Sequence, residues 1–413
     1  MRIVLFCHSL LSDWNHGNAH FLRGVVTELL ARGHEVRVHE PRDAWSAACL
    51  VADHGPEALE RVREVYPGLD PVRYDLATLD LDDALRGADA VVVHEWSDHD
   101  LVRRIGEHRR ARGGYRLLFH DTHHRMVTDP GAMARYDLSG YDGVLAFGRA
   151  LRDLYLERGL ARHAWVWHEA ADPRVFRPLP DVAPERDLVW IGNWGDDERT
   201  RELHDYLIGP VQALGLRARV HGVRYPAEGL AALHDAGIEY AGWLPNFQVP
   251  DAFARARVTV HVPRGPYAAA LPGIPTIRPF EALACGIPLV SAPWSDAEGL
   301  FSPGHDYLLA RTGEEMRHLL GALLADDALR RQLTEHGRRT VLARHTCAHR
   351  VDELLGILEE LEADRRAAPP RPAASSASPA PAAPSAASPS AASPSAASPS
   401  AASPAAQDRS PMP

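Results

Sequence analysis

The chain has 413 residues, of which 45% are hydrophobic and 24% charged, values typical of a globular protein. Its formal net charge of −10 disfavours general binding to nucleic-acid backbones, which usually requires a basic excess. All 45 basic residues are arginine, so Schiff-base chemistry and lysine-dependent phosphate loops are excluded. The four widely spaced cysteines match no disulfide or zinc pattern, which favours a reducing cytoplasm.

The first part of the chain alternates short apolar runs with helical patterns. The run Ile3–Phe6 predicts a strand buried on both faces, which we favour over a signal peptide, and a helical pattern follows that stops at Gly33. Five more strands are predicted: Val36–His39, Ala90–His94, Arg116–His120, Gly143–Phe147 and Ala164–His168. This rhythm is typical of a doubly wound parallel sheet, and we assign residues 1–175 to a first Rossmann-like domain.

Four prolines between Ala171 and Arg186 predict a linker, after which the same rhythm restarts over residues 184–345. The strands predicted there are Asp187–Ile191, Arg217–His221, Ile238–Ala241, Val258–Val262, Pro288–Ser291 and Tyr307–Ala310, and helices are predicted over Glu314–Ala325 and Ala328–Arg344. Two such domains facing each other would leave a cleft, the default ligand site.

The end of the chain divides into a helix and a tail. Residues 346–366 carry an apolar stripe, from Val351 to Leu361, that should pack back on the first domain. Residues 367–413 are mostly Pro, Ala and Ser, a composition that predicts disorder. No apolar stretch reaches the roughly 18–20 residues of a membrane span, and peripheral membrane contact is left open.

The segment LPGIPTIRPFEALACGIPLVSAPW, Leu271 to Trp294, is the most specific in the sequence. Gly273 and the prolines predict a tight loop, and Pro279 is placed as a first-turn proline of a helix that contains Glu281 in its first turn. Free N–H groups at such a helix start suit a diphosphate, and a carboxylate there can accept both hydroxyls of a ribose. Equally, Glu281 would simply stabilise the positive helix end.

At this point the chain resembles a known family. FEALACGIPLVSAPW with LFSPGHDYLLA is similar to the donor-binding region of GT-B glycosyltransferases, and NHGNAH, RGHEV and EAADPRVFRP agree with it. The resemblance covers roughly residues 1–360 and is closest to the CgeB-like (spore-maturation-type) branch, near the family-four retaining enzymes. It implies that Glu281 holds the ribose of a nucleotide-sugar. That pattern usually has a second glutamate eight positions earlier, where this sequence has Gly273, so the donor-sugar contact and the stereochemical outcome stay open.

The resemblance also implies a diphosphate site after the first strand of the second domain. Gly192 matches the pattern, Asn193 stands where an arginine is common, and Arg199 fits the later basic position. Arginine binds phosphate through charge-assisted hydrogen bonds, although Arg199 could instead be a solvated helix residue paired with a nearby glutamate. Arg264, which follows the strand ending at Val262, is a second anion contact, with a surface salt bridge as its alternative, and Thr276 is assigned to donor binding with them.

In the first domain, the cluster LLFHDTHHR follows a predicted strand. His and Asp residues in this density suit a metal site, an acceptor and proton-transfer site, or structural hydrogen bonding. The resemblance favours the second, with His120 and Asp121 as catalytic residues and no metal. The acceptor would then be bound by His16, Gly17 and Asn18 of the first loop and by His123 and His124, and Asn18 would also cap the following helix.

These observations predict an α/β enzyme with two Rossmann-like domains that moves a sugar from a nucleoside-diphosphate sugar to a hydroxyl acceptor of unknown identity, without a further cofactor. A nucleotide-sugar epimerase and an inactive nucleotide-sugar-binding protein are the alternatives. A dinucleotide oxidoreductase is disfavoured because no G-x-G-x-x-G follows the first strand.

Overall fold

The computed structural model describes residues 1–195 and 197–367. Its amino-terminal lobe is built on a seven-stranded parallel sheet in the order β3-β2-β1-β4-β5-β6-β7. The strands are β1 Arg2–Phe6, β2 Glu35–Pro41, β3 Val72–Tyr74, β4 Ala90–His94, β5 Arg116–Asp121, β6 Gly143–Ala146 and β7 Ala164–Val166. The central strand β4 is buried at every position, as expected for a sheet covered by helices on both faces.

The carboxyl-terminal lobe has a six-stranded parallel sheet in the order β10-β9-β8-β11-β12-β13. Its strands are β8 Arg186–Ile191, β9 Ala218–His221, β10 Glu239–Tyr240, β11 Ala256–His261, β12 Leu289–Ser291 and β13 Leu308–Leu309. Both sheets lie within one compact unit, Met1–Ala363. The predicted fold, two doubly wound parallel-sheet domains, is confirmed, whereas the exact domain boundaries stay predictions.

Helices connect the strands of both sheets. In the first lobe they are α1 Ala19–Ala31, α2 Trp45–His54, α3 Glu57–Val65, α4 Leu81–Ala84, α5 His99–Arg112, α6 Arg125–Thr128, α7 Pro130–Met133 and α8 Arg149–Glu157. In the second lobe they are α9 Thr200–Leu203, a π-helical turn His204–Ile208, α10 Gly209–Leu214, α11 Ala227–Asp235, a 3₁₀ turn Asn246–Gln248, α12 Val249–Ala254, α13 Gly265–Ala270, α14 Ile277–Cys285, α15 Gly313–Ala325 and α16 Asp327–Arg344.

The last helix, α17 Cys347–Ala367, returns to the first lobe as its apolar stripe predicts. Val351, Leu354 and Leu358 are buried in the same core as Phe21 and Trp167 of the first lobe. The Trp167 indole Nε1 donates a hydrogen bond of 2.8 Å to the carbonyl of residue 350, which fixes this helix against the sheet. The tail was predicted to begin at residue 367, but Ala367 is the last residue of α17. Residues 368–413 lie outside the described residues, and their disorder stays a prediction. No described helix is long and apolar enough to span a bilayer.

Candidate functional site

The loops after β1 and β8, the first strands of the two sheets along the chain, meet at a cavity between the lobes. This cavity has a volume of about 80 Å³, and its walls include His16 and Gly17 from the first lobe and Gly192 and Asn193 from the second. The sequence assigned the first pair to the acceptor and the second pair to the donor, so two residues of each predicted group share this cavity, whereas their roles stay predictions. Carboxyl ends of parallel strands are the usual ligand-binding edge of such sheets.

Polar contacts across the cavity hold the lobes together. Asp13 of the first lobe forms a buried ion pair of 2.8 Å with Arg23 and accepts hydrogen bonds from the Trp243 indole Nε1 (3.0 Å) and from the Asn246 backbone N–H (3.1 Å). The Asn193 side chain also donates to Asn15. The first loop is therefore attached directly to the loop that follows β10.

The start of α14 differs from the sequence prediction. The helix begins at Ile277, preceded by Thr276 with a φ of 61°, so Glu281 is its fifth residue and lies in the second turn. The prediction that Glu281 occupies the first turn is wrong. The N–H groups of the first helical residues have no carbonyl partner within the helix, so Pro279, which has no N–H, is tolerated as the third helical residue. The Thr276 side chain forms no capping hydrogen bond.

Glu281 itself is completely buried and both of its carboxylate oxygens are engaged. His20 of α1 lies 2.7 Å away through Nδ1, and since His20 Nε2 accepts from the Asp172 N–H (3.1 Å), Nδ1 carries the proton and donates to Glu281. The second oxygen is paired with Arg278 one turn earlier in α14. Contact of Glu281 with a ribose, which stays a prediction, would require one of these partners to move.

Arg278 is a functional candidate that the sequence interpretation missed. Its side chain lines the interlobe cavity beside Asn193 and Gly192 and is 16% exposed. Arg278 therefore supplies the cation beside the cavity, the role that the sequence analysis assigned to Arg199. Its position in the first turn of α14, directly after the tight loop, is a signal that could have identified it.

Arg199 is partly buried, and its side chain bonds to the loop after β8. Its guanidinium donates to the carbonyls of Val262 (2.8 Å), Asn193 and Trp194, and it packs over the Trp190 ring. Burial, together with the charge of Arg264, lowers its pKa to about 9. It is therefore not the solvated helix residue considered as the alternative, and its donors fix the shape of the loop.

Arg264 precedes α13, and its side chain forms no capping hydrogen bond. Its guanidinium Nη1 lies 3.3 Å from a carboxylate oxygen of Glu198, and the Arg264 side chain is 20% exposed. His124 of the first lobe approaches the same carboxylate, with its Nε2 3.4 Å from Glu198. The predicted donor residue Arg264 and the predicted acceptor residue His124 therefore share one bridging carboxylate. His123 packs against His124, with ring centroids 4.0 Å apart.

The space beside Gly273 is filled by the side chain of Glu298. Its φ is +92°, and a Cβ built on it would lie 2.6 Å from the Cγ and Oε1 atoms of Glu298. Glu298 in turn accepts hydrogen bonds from the Arg149 N–H at the start of α8 (2.7 Å) and from His168 Nε2 (3.1 Å), both in the first lobe. A carboxylate from the loop after β12 thus fills the space next to Gly273 and bridges the lobes.

The predicted catalytic pair lies at the end of β5 but away from solvent. His120 is fully buried against Trp167 and His94, neither ring nitrogen has a partner among the described residues, and burial lowers its pKa to about 3. Asp121 accepts from the Tyr155 hydroxyl (2.6 Å) and the residue 123 N–H, and burial, with the charge of Glu95, raises its pKa to about 7. Their catalytic assignment stays a prediction.

Asn18 occupies the N-cap position of α1, as predicted, but its side chain forms no capping hydrogen bond. Its side-chain Nδ2 instead donates a hydrogen bond of 2.9 Å to Glu169 Oε1, because this buried carboxyl lies within reach on the segment after β7. Glu169 is a second residue that the sequence interpretation missed. It lies in EAADPRVFRP, which was interpreted only as the crossing between domains.

Among the described residues, no group of three or more His, Cys, Asp or Glu side chains is arranged to hold a metal ion. The structure thus offers no support for the metal interpretation of the histidine cluster, and the expectation that catalysis needs no metal stays a prediction.

Comparison with known proteins agrees with the fold. Residues 199–356 match the family model described as glycosyl transferase-like. No curated protein sequence matches the chain.

Solved structures superpose over most of the chain. Sucrose-phosphate synthase from Thermosynechococcus elongatus has 15% identity and a TM-score of 0.61, with 88% of this chain and 100% of that chain covered. HepE from Anabaena, in complex with UDP-glucose, has 14% identity and a TM-score of 0.61, with 87% and 100% covered. A glycosyltransferase from Rickettsia africae has 11% identity and a TM-score of 0.59, with 87% and 98% covered.

At these identities the superpositions establish a shared fold, and that fold is GT-B. The match to the glycosyl transferase-like family model lies mainly in the second lobe, over residues 199–356, and agrees with this fold.

Proposed function

We propose that this protein transfers a glycosyl group from a nucleoside-diphosphate sugar to a hydroxyl acceptor. The observation that carries the proposal is the interlobe cavity, where Arg278 at the start of α14 lies beside the loop of Gly192 and Asn193. A cation beside a loop and a helix start is suited to a diphosphate. HepE is described in complex with UDP and with UDP-glucose, which supports a uridine diphosphate sugar as the first donor to test.

Within this proposal the second lobe holds the donor. Arg278 would contact the diphosphate, the Gly192–Asn193 loop would form the adjoining wall of the site, and Arg199 would hold that loop in place through its carbonyls. Glu281 would bind the ribose after exchanging one of its present partners. Fixed donors of this kind stabilise the negative charge that develops on the leaving diphosphate, usually the largest single contribution to catalysis.

The first lobe would present the acceptor. His16 and Gly17 face the cavity directly, and His124 reaches the second lobe through Glu198. The comparisons give no support to an epimerase. The finer placement in the CgeB-like branch, a cytoplasmic location and a bacterial origin remain proposals that rest on the sequence resemblance and composition.

The test is nucleotide binding by the Arg278→Gln variant. We expect the dissociation constant for UDP, measured by calorimetry, to rise at least about tenfold, equivalent to about 1.4 kcal/mol, because a charge-assisted contact is lost. Arg317→Gln, on the exposed face of α15, is the matched control and should bind like the parent. An unchanged constant in Arg278→Gln would remove the diphosphate assignment.

The reaction is tested separately by incubating the parent protein with UDP-, GDP-, ADP- and dTDP-glucose. The expected result is release of the free nucleoside diphosphate, with the glucosyl group passing to water or to an added sugar. Binding without release from any donor would instead identify an inactive nucleotide-sugar-binding protein.

A further inference from the structure

Glu169 is a buried carboxyl group for which the proposed function gives no role. It follows β7 by three residues, where the chain leaves the first sheet, and is 6% exposed. Asn18, which donates to its Oε1 atom, is the immediate neighbour of Gly17 in the wall of the interlobe cavity. The carboxyl group thus lies at the base of the first loop, behind the wall that Gly17 contributes to the cavity.

The surroundings of Glu169 favour its protonated form. Among the described residues it forms no ion pair within 4 Å, and the Asn18 amide is the sole hydrogen-bond partner of its side chain there. An unpaired carboxylate in such a place would lose its hydration without an equivalent replacement, so the neutral acid is favoured.

Charged groups on the neighbouring elements agree with this. Glu281 of α14 raises the pKa of Glu169 and Arg278 lowers it, while the Tyr267 hydroxyl of α13 is near enough for Glu169 to raise its pKa in turn. Arg278 is already neutralised by Glu281. Burial is the largest cause, and the pKa of Glu169 is raised to about 8.

We propose that Glu169 is a catalytic residue that keeps its proton and donates a hydrogen bond to the oxygen that leaves with the nucleoside diphosphate. The inference rests on the proposed function, since it takes the diphosphate to lie at Arg278. A neutral carboxylic acid has an O–H donor that a carboxylate lacks, and enzymes keep such acids protonated in apolar sites for this purpose. The remaining oxygen continues to accept from Asn18, which orients the group.

The diphosphate is the appropriate partner because of what lies around Glu169. Gly17, which adjoins Asn18, lies against the start of α14, since a Cβ built on it would be 3.6 Å from Cγ2 of Ile277. Arg278 follows Ile277 directly and lines the same cavity as Gly17. A phosphate oxygen between Arg278 and Glu169 would receive one charged and one neutral donor. A second anionic carboxylate at this point would instead repel the diphosphate, so the proton on Glu169 is required for binding as well as for turnover.

The transfer step balances with Glu169 acting only as a hydrogen-bond donor. The bond between the anomeric carbon and the diphosphate oxygen breaks, and its electron pair stays on that oxygen. The acceptor hydroxyl oxygen forms the new bond to the anomeric carbon, and its proton passes to the released diphosphate. Glu169 holds its proton throughout, and its hydrogen bond strengthens as negative charge builds on the leaving oxygen.

The inference is tested with Glu169→Ala and Glu169→Gln, with turnover measured as release of UDP from UDP-glucose, or of the nucleotide from whichever of the four glucose donors the parent consumes. Removal of one such donor in Glu169→Ala should lower kcat by about 100-fold or more. Glu169→Gln retains an N–H donor and should recover most of the rate. Glu107→Gln, on the exposed face of α5, is the matched control and should be unchanged.

The pH profile separates donation from a structural role. Parent kcat should fall above about pH 8 as Glu169 loses its proton, and this alkaline limb should be absent in Glu169→Gln, whose amide does not ionise. The inference is overturned if Glu169→Ala turns over like the parent, if Glu169→Gln is as slow as Glu169→Ala, or if the limb persists in Glu169→Gln. If Glu169→Ala does not fold, the profile of the isosteric glutamine variant decides.

Failure of the inference and failure of the proposed function give different results. A parent protein that neither binds nor consumes any of the four donors contradicts the proposed function. A parent that consumes a donor, with Glu169 variants that match it in rate and pH profile, contradicts only the role given to Glu169.

Discussion

Glu169 also links the stability of the fold to pH, independently of catalysis. Its folded pKa of about 8 lies above the ordinary value of 4.5, so the folded state binds a proton that the unfolded state has released between these pH values. The contribution of this group to stability is therefore complete below about pH 4.5 and is lost as pH rises to about 8.

We expect Glu169→Gln to remove this dependence. The free energy of unfolding of the variant, minus that of the parent, should increase with pH across this window, at up to ~1.4 kcal/mol per pH unit for one proton. Urea titrations of both proteins at pH 5, 6, 7 and 8 measure the difference. Other raised carboxyls, such as Asp121, are common to both proteins and cancel. A difference that does not vary with pH would mean that Glu169 is ionised in the folded protein.

At the scale of elements, the loop before α14 depends on Gly273. Substitution to alanine would place a Cβ at positive φ, at a cost of about 1–2 kcal/mol, and within 2.6 Å of Glu298. Displacing Glu298 would break its bonds to Arg149 and His168 and add about 1–3 kcal/mol of overpacking cost. We therefore expect a large loss of stability in Gly273→Ala, measured by urea unfolding.

The matched control for this prediction is Gly159→Ala. Gly159 also has positive φ, at +64°, but a Cβ there would meet no atom within 4 Å. It should show the backbone cost alone. If the two variants lose equal stability, the Glu298 contact has no energetic weight and the loop is held by other interactions.

The same elements show what local sequence determines. All twelve strands expected from apolar runs are present, because a parallel strand buried on both faces leaves a continuous apolar signature such as Ala90–His94. Strand β3, with the sequence VRY, has no such signature and was not predicted. The sequence analysis predicted the start of α14 too late, because Thr276 has a positive φ, which is uncommon for a threonine and has no sequence signature.

The sequence indicated which loops form the candidate site but not which of their side chains face the cavity. His16, Gly17 and Asn193 do line one cavity, since strand ends converge in any such sheet. Packing determines which arginine faces that cavity. The Arg199 guanidinium donates to backbone carbonyls of the loop, whereas Arg278 lines the cavity. The burial of Glu169 depends on both lobes and on Asn18, so no local pattern could have indicated it.

For the whole molecule, we expect the lobes to separate before a donor binds at the cavity beside Arg278. A volume of about 80 Å³ is well below the roughly 300–1,000 Å³ of pockets that enclose drug-sized ligands. The bonds that close the cleft include those from Trp243 and Asn246 to Asp13. Asp13 is a poor target for mutation because its loss would leave Arg23 buried and unpaired.

Trp243→Phe removes one closing hydrogen bond and keeps an aromatic ring. A bond of this kind contributes about 0.5–1.5 kcal/mol, so the opening equilibrium should shift roughly two- to twelvefold toward the open form. Since association requires the open form, we expect the rate constant for UDP binding, measured by stopped flow, to increase by a similar factor. Trp165→Phe removes an indole hydrogen bond to Glu360, remote from the cleft, and should leave that rate unchanged. Equal rates in Trp243→Phe and the parent would show that the Asp13 contact does not limit opening, and that the donor reaches Arg278 by another route.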